Sequence, residues 1–269
     1  MPTLTTLPNL PMWQAVFAAA LLLFLAKSVA WLIQRRMGNG GIVDAIWAWA
    51  LGGLAVWFAV VGTAPTEVRL TLGAMGGLWG LRLGTYLWGR NWRAAEDWRY
   101  AKFRADWGAQ AQTKMFWFFQ FQNLFTLALA ASAFIPAAYR EGSPGPLGLA
   151  AAVAILLVSV WGEGLADDQL RRFKADPARR GEVCDVGLWR YSRHPNYFFE
   201  CVHWLAYIPL AVGGGLWAWS LIAPVVMVLL LLKISGVPLL EAEMATRKPG
   251  YAEYMKRTSM LLPWPPRRA

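Results

Sequence analysis

The sequence predicts an all-α integral membrane protein with seven transmembrane helices, its N-terminus outside and its C-terminus cytoplasmic. Three observations predict it. Of 269 residues, 57% are hydrophobic and only 16% charged, against roughly 25% charged in soluble domains. The charges are clustered, leaving apolar stretches near the roughly 20 residues a spanning helix needs. The basic residues also fall in alternate connections.

Seven apolar segments lie at about 12–34, 41–62, 67–89, 115–138, 147–170, 196–213 and 216–238. The sixth is short and polar at its start. Arg35 and Arg36 follow the first segment, and Arg90, Arg93, Arg99, Lys102, Arg104 and Lys114 follow the third. Arg171, Arg172, Lys174, Arg179, Arg180, Arg190 and Arg193 follow the fifth, and Arg247, Lys248, Lys256, Arg257, Arg267 and Arg268 the seventh. The connections near 63–66, 139–146 and 213–215 are nearly uncharged. Basic loops stay cytoplasmic, and seven crossings put the ends on opposite sides, so count and charge agree. Lys27 and Lys233 lie near helix ends and can snorkel. The chain reads as one transmembrane domain, 1–269, with a C-terminal core at about 147–269. The net charge of +10 belongs to basic loops at one membrane face, not to nucleic-acid binding.

The start, MPTLTTLPNLPMW, lacks the basic region of a cleaved signal peptide. Two cysteines build no disulfide framework, and Cys184 and Cys201 read as free thiols. No internal repeat is present, which weighs against a transporter. Gly73, Gly76, Gly77, Gly80 and Gly84 in the third segment suit close helix packing.

Ionisable groups inside a membrane are costly and suggest function unless a partner explains them. Asp44 opens the second segment, either as a helix cap or as a carboxyl at a ligand pocket. Arg82, Tyr86 and Arg90 share one face of the third at i, i+4 and i+8; snorkelling explains Arg90, whereas Arg82 calls for an anionic partner. Glu163 and Asp167 sit at i, i+4 on the fifth. Asp167 either pairs with Arg171 or, like the deeper Glu163, accepts from ribose hydroxyls or a carboxamide.

Both histidines, His194 and His203, fall in GLWRYSRHPNYFFECVHW, 187–204. Cys201 and His203 are two residues apart, about 200° around a helix, so they point to opposite sides. The spacing from Cys184 is not that of a zinc site, and no metal is expected. Ser192 lacks the strand–turn–helix elbow of a hydrolase nucleophile. Pro195 suits a helix start. Asn196, Glu200 and His203 then descend along one stripe, with Tyr197 and Cys201 on the next. Arg190, Arg193 and His194 form a cationic rim above them. Such a site suits a phosphorylated or adenosyl cofactor, because guanidinium groups hold phosphates well. His203 reads equally as a helix contact. The tail carries Glu241, Glu243, Arg247, Lys248, Tyr251 and Tyr254, and either binds anionic lipid or continues the site.

The run GLWRYSRHPNYFFE, with DDQLRRFK before it and PGYAEYMKRTSMLLPWPP after it, resembles the DUF1295 group of the steroid 5-alpha-reductase family. GNGGIVDAIW and LWGLRLGTYLWGR resemble it too. The RHPNY core recurs in sterol reductases and in isoprenylcysteine-type membrane methyltransferases. The resemblance implies an NADPH-dependent oxidoreductase of lipid metabolism. It would deliver hydride to the β-carbon of a 3-oxo-4-ene steroid or similar apolar enone, with the α-carbon protonated. The substrate would enter from the bilayer between the first and fourth segments. The family's cofactor residues fall on Asn196, Glu200 and Trp204, its fifth-helix pair on Glu163 and Asp167, and its third-helix arginine on Arg82. Arg171, Lys174, Tyr191, Arg193, His194, Tyr197, Glu241 and Tyr254 join the implied cofactor set. The positions nearest the family's carbonyl-polarising glutamate and tyrosine are Asp44 and Trp79, with Tyr86 two turns on. Asp44 would act there as a protonated acid. An S-adenosylmethionine-dependent methyltransferase and a non-enzymatic lipid-binding or transport protein are the competing readings. A monomer in a bacterial inner membrane is expected.

Overall fold

A computed structural model of the chain describes residues 9–234 and 236–267. Residues 1–8 of the uncharged start and Arg268 of the tail lie outside the described residues. The elements are α1 (Met12–Met37), α2 (Ile42–Val61), α3 (Thr66–Asn91), α4 (Trp98–Trp107), α5 (Ala111–Ala138), α6 (Gly145–Ala175), α7 (Pro195–Leu205), α8 (Ile208–Ala211), α9 (Ile222–Leu229), α10 (Val237–Arg247) and α11 (Tyr251–Arg257). Among the described residues there is no strand; Ser192 and Ser259 form an isolated parallel bridge.

Among the described residues, five stretches are long and apolar enough to cross a membrane: Met12–Met37, Ile42–Val61, Trp98–Ala138, Gly145–Ala175 and Trp217–Arg247. Large apolar side chains such as Phe17, 71% exposed, and Leu147, 83% exposed, cover their outer faces. Water would penalise such surfaces, so the chain is a multi-pass membrane protein. The segment expected at 67–89 forms α3, which is not one of the five. The segment expected at 196–213 is divided between α7 and the four-residue α8. The last segment contains a π-turn over Leu230–Ile234. The basic connection after α3 contains a further helix, α4, capped by the Asp97 side chain on the Arg99 N–H.

The chain forms two compact units. The first comprises Met1–Leu149 and Leu210–Ala223, the second Ala150–Pro209 and Pro224–Ala269. In the first, α2 and α3 make the most extensive helix contact, and α5 packs on α1 and α2. Glycines set the α2–α3 approach. A Cβ on Gly80 would lie 2.6 Å from Gly52 Cα, and one on Gly84 would lie 2.3 Å from the Trp49 ring. The glycine-rich face is thus a packing face. α1 ends at Gly38, whose φ of 69° supplies the left-handed cap. In the second unit, Gly162 of α6 receives the Phe199 ring of α7; a Cβ there would come within 2.2 Å of it.

Candidate functional site

In the second unit, the start of α7 is tied to the chain's C-terminal part. Gly187–Arg190 forms a 3-10 turn. Arg193 N–H donates to Ser259 O at 2.8 Å, Trp264 N–H to Tyr191 O at 2.9 Å, and Ser192 Oγ to Leu261 O at 2.7 Å. The Arg193 guanidinium grips Glu241 of α10 through Nε at 2.6 Å and Nη2 at 3.2 Å. Its Nη1 donates to Met255 O at 2.7 Å and Thr258 O at 2.8 Å. His194 Nε2 also meets Glu241 Oε1, at 3.0 Å, and its ring stacks on Tyr197. Tyr254 O–H donates to Trp189 O at 2.5 Å. Burial holds the Tyr254 hydroxyl well above the usual phenol range. It also pushes Tyr251 up to about 12, with Glu241 adding to the rise. Two members of the cationic rim, Arg193 and His194, are therefore turned inward onto Glu241. Arg190 and Tyr191 stay exposed.

Below this rim, α6 and α7 bring the polar stripe together. Asn196 Nδ2 donates to Asp167 Oδ1 at 3.2 Å. Trp204 Nε1 donates to Glu200 Oε1 at 3.1 Å. Glu163 is buried in the same unit. His203 Nε2 meets the Tyr207 hydroxyl at 3.0 Å, a contact between α7 and the turn that follows it. Arg171 pairs with Asp168, as does Arg172 at 2.6 Å. The sequence offered Asp167 as the Arg171 partner; the structure turns Asp167 toward Asn196 instead. Lys174 is exposed. A cavity of about 270 Å³, lined by Gln169, Arg172, Phe173, Asp176, Arg179 and Val186, opens beside the end of α6.

In the first unit, Asp44 caps nothing: α2 has no side-chain cap. Asp44 Oδ2 accepts from Arg99 Nη2 at 2.9 Å and Oδ1 from the Tyr100 hydroxyl at 3.3 Å. It is used as an acceptor, where the sequence reading made it a donor. The GNGG turn explains the approach. Asn39 is buried and bonds Asn91 O and Gly41 N, while Glu96 accepts from Gly40 N at 3.0 Å. The Tyr100 ring lies so close to Gly40 that a Cβ there would come within 2.6 Å. Arg99 is also held by Asp97, and Arg104 by Glu96. Trp79 is buried and packs edge-on to Trp47. Arg82 is half-buried and Tyr86 exposed on α3.

Lys27 departs most from its sequence reading. It does not snorkel: it is fully buried, with Nζ donating to Gln122 Oε1 of α5 at 2.9 Å. Sequence reasoning also missed Arg99, Tyr100 and Gln122. EDWRY and FQFQN carry them, and the amides within an apolar segment were the available signal.

Among the described residues no group of three or more His, Cys, Asp or Glu is placed to hold a metal. The fold and its polar clusters define a helical, multi-pass membrane protein with buried ionisable groups in both units. The chain belongs to the DUF1295 family, described as proteins of unknown function, whose model matches residues 30–258. No curated protein and no solved structure matches it.

Proposed function

We propose that the protein is an NADPH-dependent membrane reductase acting on the C=C bond of a 3-oxo-4-ene steroid or a similar apolar enone. The observation that carries this reading is the Asn196–Asp167 hydrogen bond, which sets the amide of α7 beside the acids of α6. Glu163, Asp167 and Glu200 supply acceptors for ribose hydroxyls and a carboxamide. The exposed Arg171, Arg172, Lys174 and Arg190 supply cations for phosphates. Arg193 and His194, engaged by Glu241, serve by holding the start of α7. Bound there, NADPH supplies the hydride.

The first unit holds a pair of side chains suited to polarising a carbonyl. Tyr100 and Asp44 form the tyrosine–carboxylate pair for which the sequence pointed to Asp44 with Trp79 or Tyr86. The Tyr100 hydroxyl turns its single proton from Asp44 to the carbonyl oxygen as negative charge develops on it, and Arg99 keeps its hydrogen bond to Asp44. Donors aimed at developing charge are the largest contribution in many such reactions. This reading includes seven crossings, with α3 and the α7–α8 segment added to the five apolar ones. It also includes an outside N-terminus, a cytoplasmic C-terminus, a monomer in a bacterial inner membrane, and substrate entry from the bilayer.

The second reading is an S-adenosylmethionine-dependent methyltransferase of the isoprenylcysteine type. The inward turn of Arg193 and His194 favours it, because that cofactor needs no phosphate clamp. A thermal-shift series on the purified protein with NADPH, NADH and S-adenosylmethionine separates the two. NADPH is expected to stabilise the protein and Asn196→Leu to abolish the shift. NADPH oxidation, followed by absorbance with progesterone as acceptor, is expected to slow at least tenfold in Tyr100→Phe. A shift with S-adenosylmethionine alone supports the second reading. No shift with any of the three removes both.

A further inference from the structure

We infer that Lys27, braced by Gln122 and next to the Tyr100–Asp44 pair, recognises a carbonyl oxygen on a neutral lipid-soluble ligand. This rests on the reading that the Tyr100–Asp44 pair meets a carbonyl oxygen.

Lys27 lies nearly three turns from the end of α1, inside a stretch apolar enough to span a membrane. It is 0% exposed, and among the described residues its one hydrogen bond is to Gln122 Oε1. An ammonium carries three donors and a neutral amine two. In either protonation state at least one N–H is left without an acceptor in a dry environment, where an unmet polar group is costly. Intramembrane ionisable residues of this kind mark ligand or ion sites.

The neighbourhood defines the ligand. Gln122 also neighbours the Tyr100 hydroxyl, and Asp44 is the carboxylate whose charge acts on Lys27. Asp44 and Asp97 together accept from Arg99. Lys27 and Arg99 are thus matched by two carboxylates, so an anionic ligand would unbalance the cluster. A neutral acceptor oxygen would not. Asp44, Arg99 and Gln122 are partly exposed, so Lys27 lies one side chain behind an accessible face. On the α1–α5 seam, Gln120 also donates to Ser28 at 3.2 Å, and the Asn123 carbonyl oxygen is buried without a partner among the described residues.

The test uses the full chain in lipid nanodiscs. Equilibrium binding of radiolabelled progesterone is compared with that of pregnane, the same carbon skeleton without oxygens. Lys27→Met is expected to weaken progesterone binding about tenfold, the scale of one lost charge-assisted hydrogen bond, and to leave pregnane binding unchanged. Removing a buried amine relieves desolvation, so this variant is expected to fold. Lys27→Gln keeps a donor on a shorter arm and is expected to weaken progesterone binding by a smaller factor. It decides the matter if Lys27→Met does not fold. Parental affinity for progesterone in the folded variant, equal loss of pregnane, or no preference for progesterone in the parent protein overturns the inference. NADPH oxidation by the same preparations keeps the two ideas apart. Lys27-dependent progesterone binding without turnover sinks the reductase reading and leaves this inference standing. Turnover with Lys27-independent binding does the reverse.

Discussion

Arg193 and Glu241 meet through two parallel hydrogen bonds, at 2.6 and 3.2 Å, with both side chains nearly out of solvent. They are separated by 48 residues. The pair joins the start of α7 to α10, and the remaining Arg193 nitrogen extends the clamp to the carbonyls of Met255 and Thr258. A planar fork is needed for this, and lysine does not provide one. Breaking such a pair from one side leaves a buried charge and costs about 3–5 kcal/mol. Glu241→Leu and Arg193→Met are each expected to lower the melting temperature of the detergent-solubilised protein strongly. The double variant is expected to recover part of that loss. Additive losses would show that the two residues stabilise independently.

Gly80 carries the α2–α3 contact. Alanine there would bring a methyl against the Gly52 backbone and Ala48 O at 2.6–2.7 Å, with backbone atoms that cannot move aside cheaply. Gly80→Ala is expected to destabilise by about 1–3 kcal/mol, the usual cost of overpacking. Gly53 has open space at the same point, so Gly53→Ala serves as the neutral control. Thermal melts of the three proteins check the ranking.

Asp97 sets a pH dependence. Burial opposes its ionisation, but the hydrogen bonds and charge of Arg99 outweigh that and hold its carboxyl below the usual carboxylate range. A folded-state pKa below the unfolded one contributes stability above the unfolded pKa and loses it as pH falls through the folded value. The melting temperature is therefore expected to fall on acidification through and below the carboxylate range. Asp97→Asn should flatten part of that fall while lowering stability near neutrality. An unchanged acid limb in Asp97→Asn would remove Asp97 from the account.

Cys184 packs with Phe173 and Trp189. Burial raises its thiol pKa, and Asp185 adds to the rise. Little thiolate is present at neutral pH, and the thiolate is the reactive form. Maleimide labelling of Cys184 in a Cys201→Ala background is expected to be slow in the folded protein and fast after denaturation in sodium dodecyl sulfate. Equal rates would place Cys184 outside the packed cluster.

The sequence by itself determined the membrane class, the family resemblance and most helix positions, because hydropathy, glycine caps and charge clustering are local properties. It also singled out Asn196, Asp167, Glu163 and Glu200, since helical spacing alone puts them on two stripes. Only the tertiary structure decided what the charges meet. Arg99 reaches Asp44 across 55 residues, Lys27 reaches Gln122 across 95, and Arg193 with His194 turns inward to Glu241. Periodicity gives the face a side chain occupies. It does not give the partner across that face, because a buried charge pairs with whichever complementary group the helix packing brings within a few ångströms.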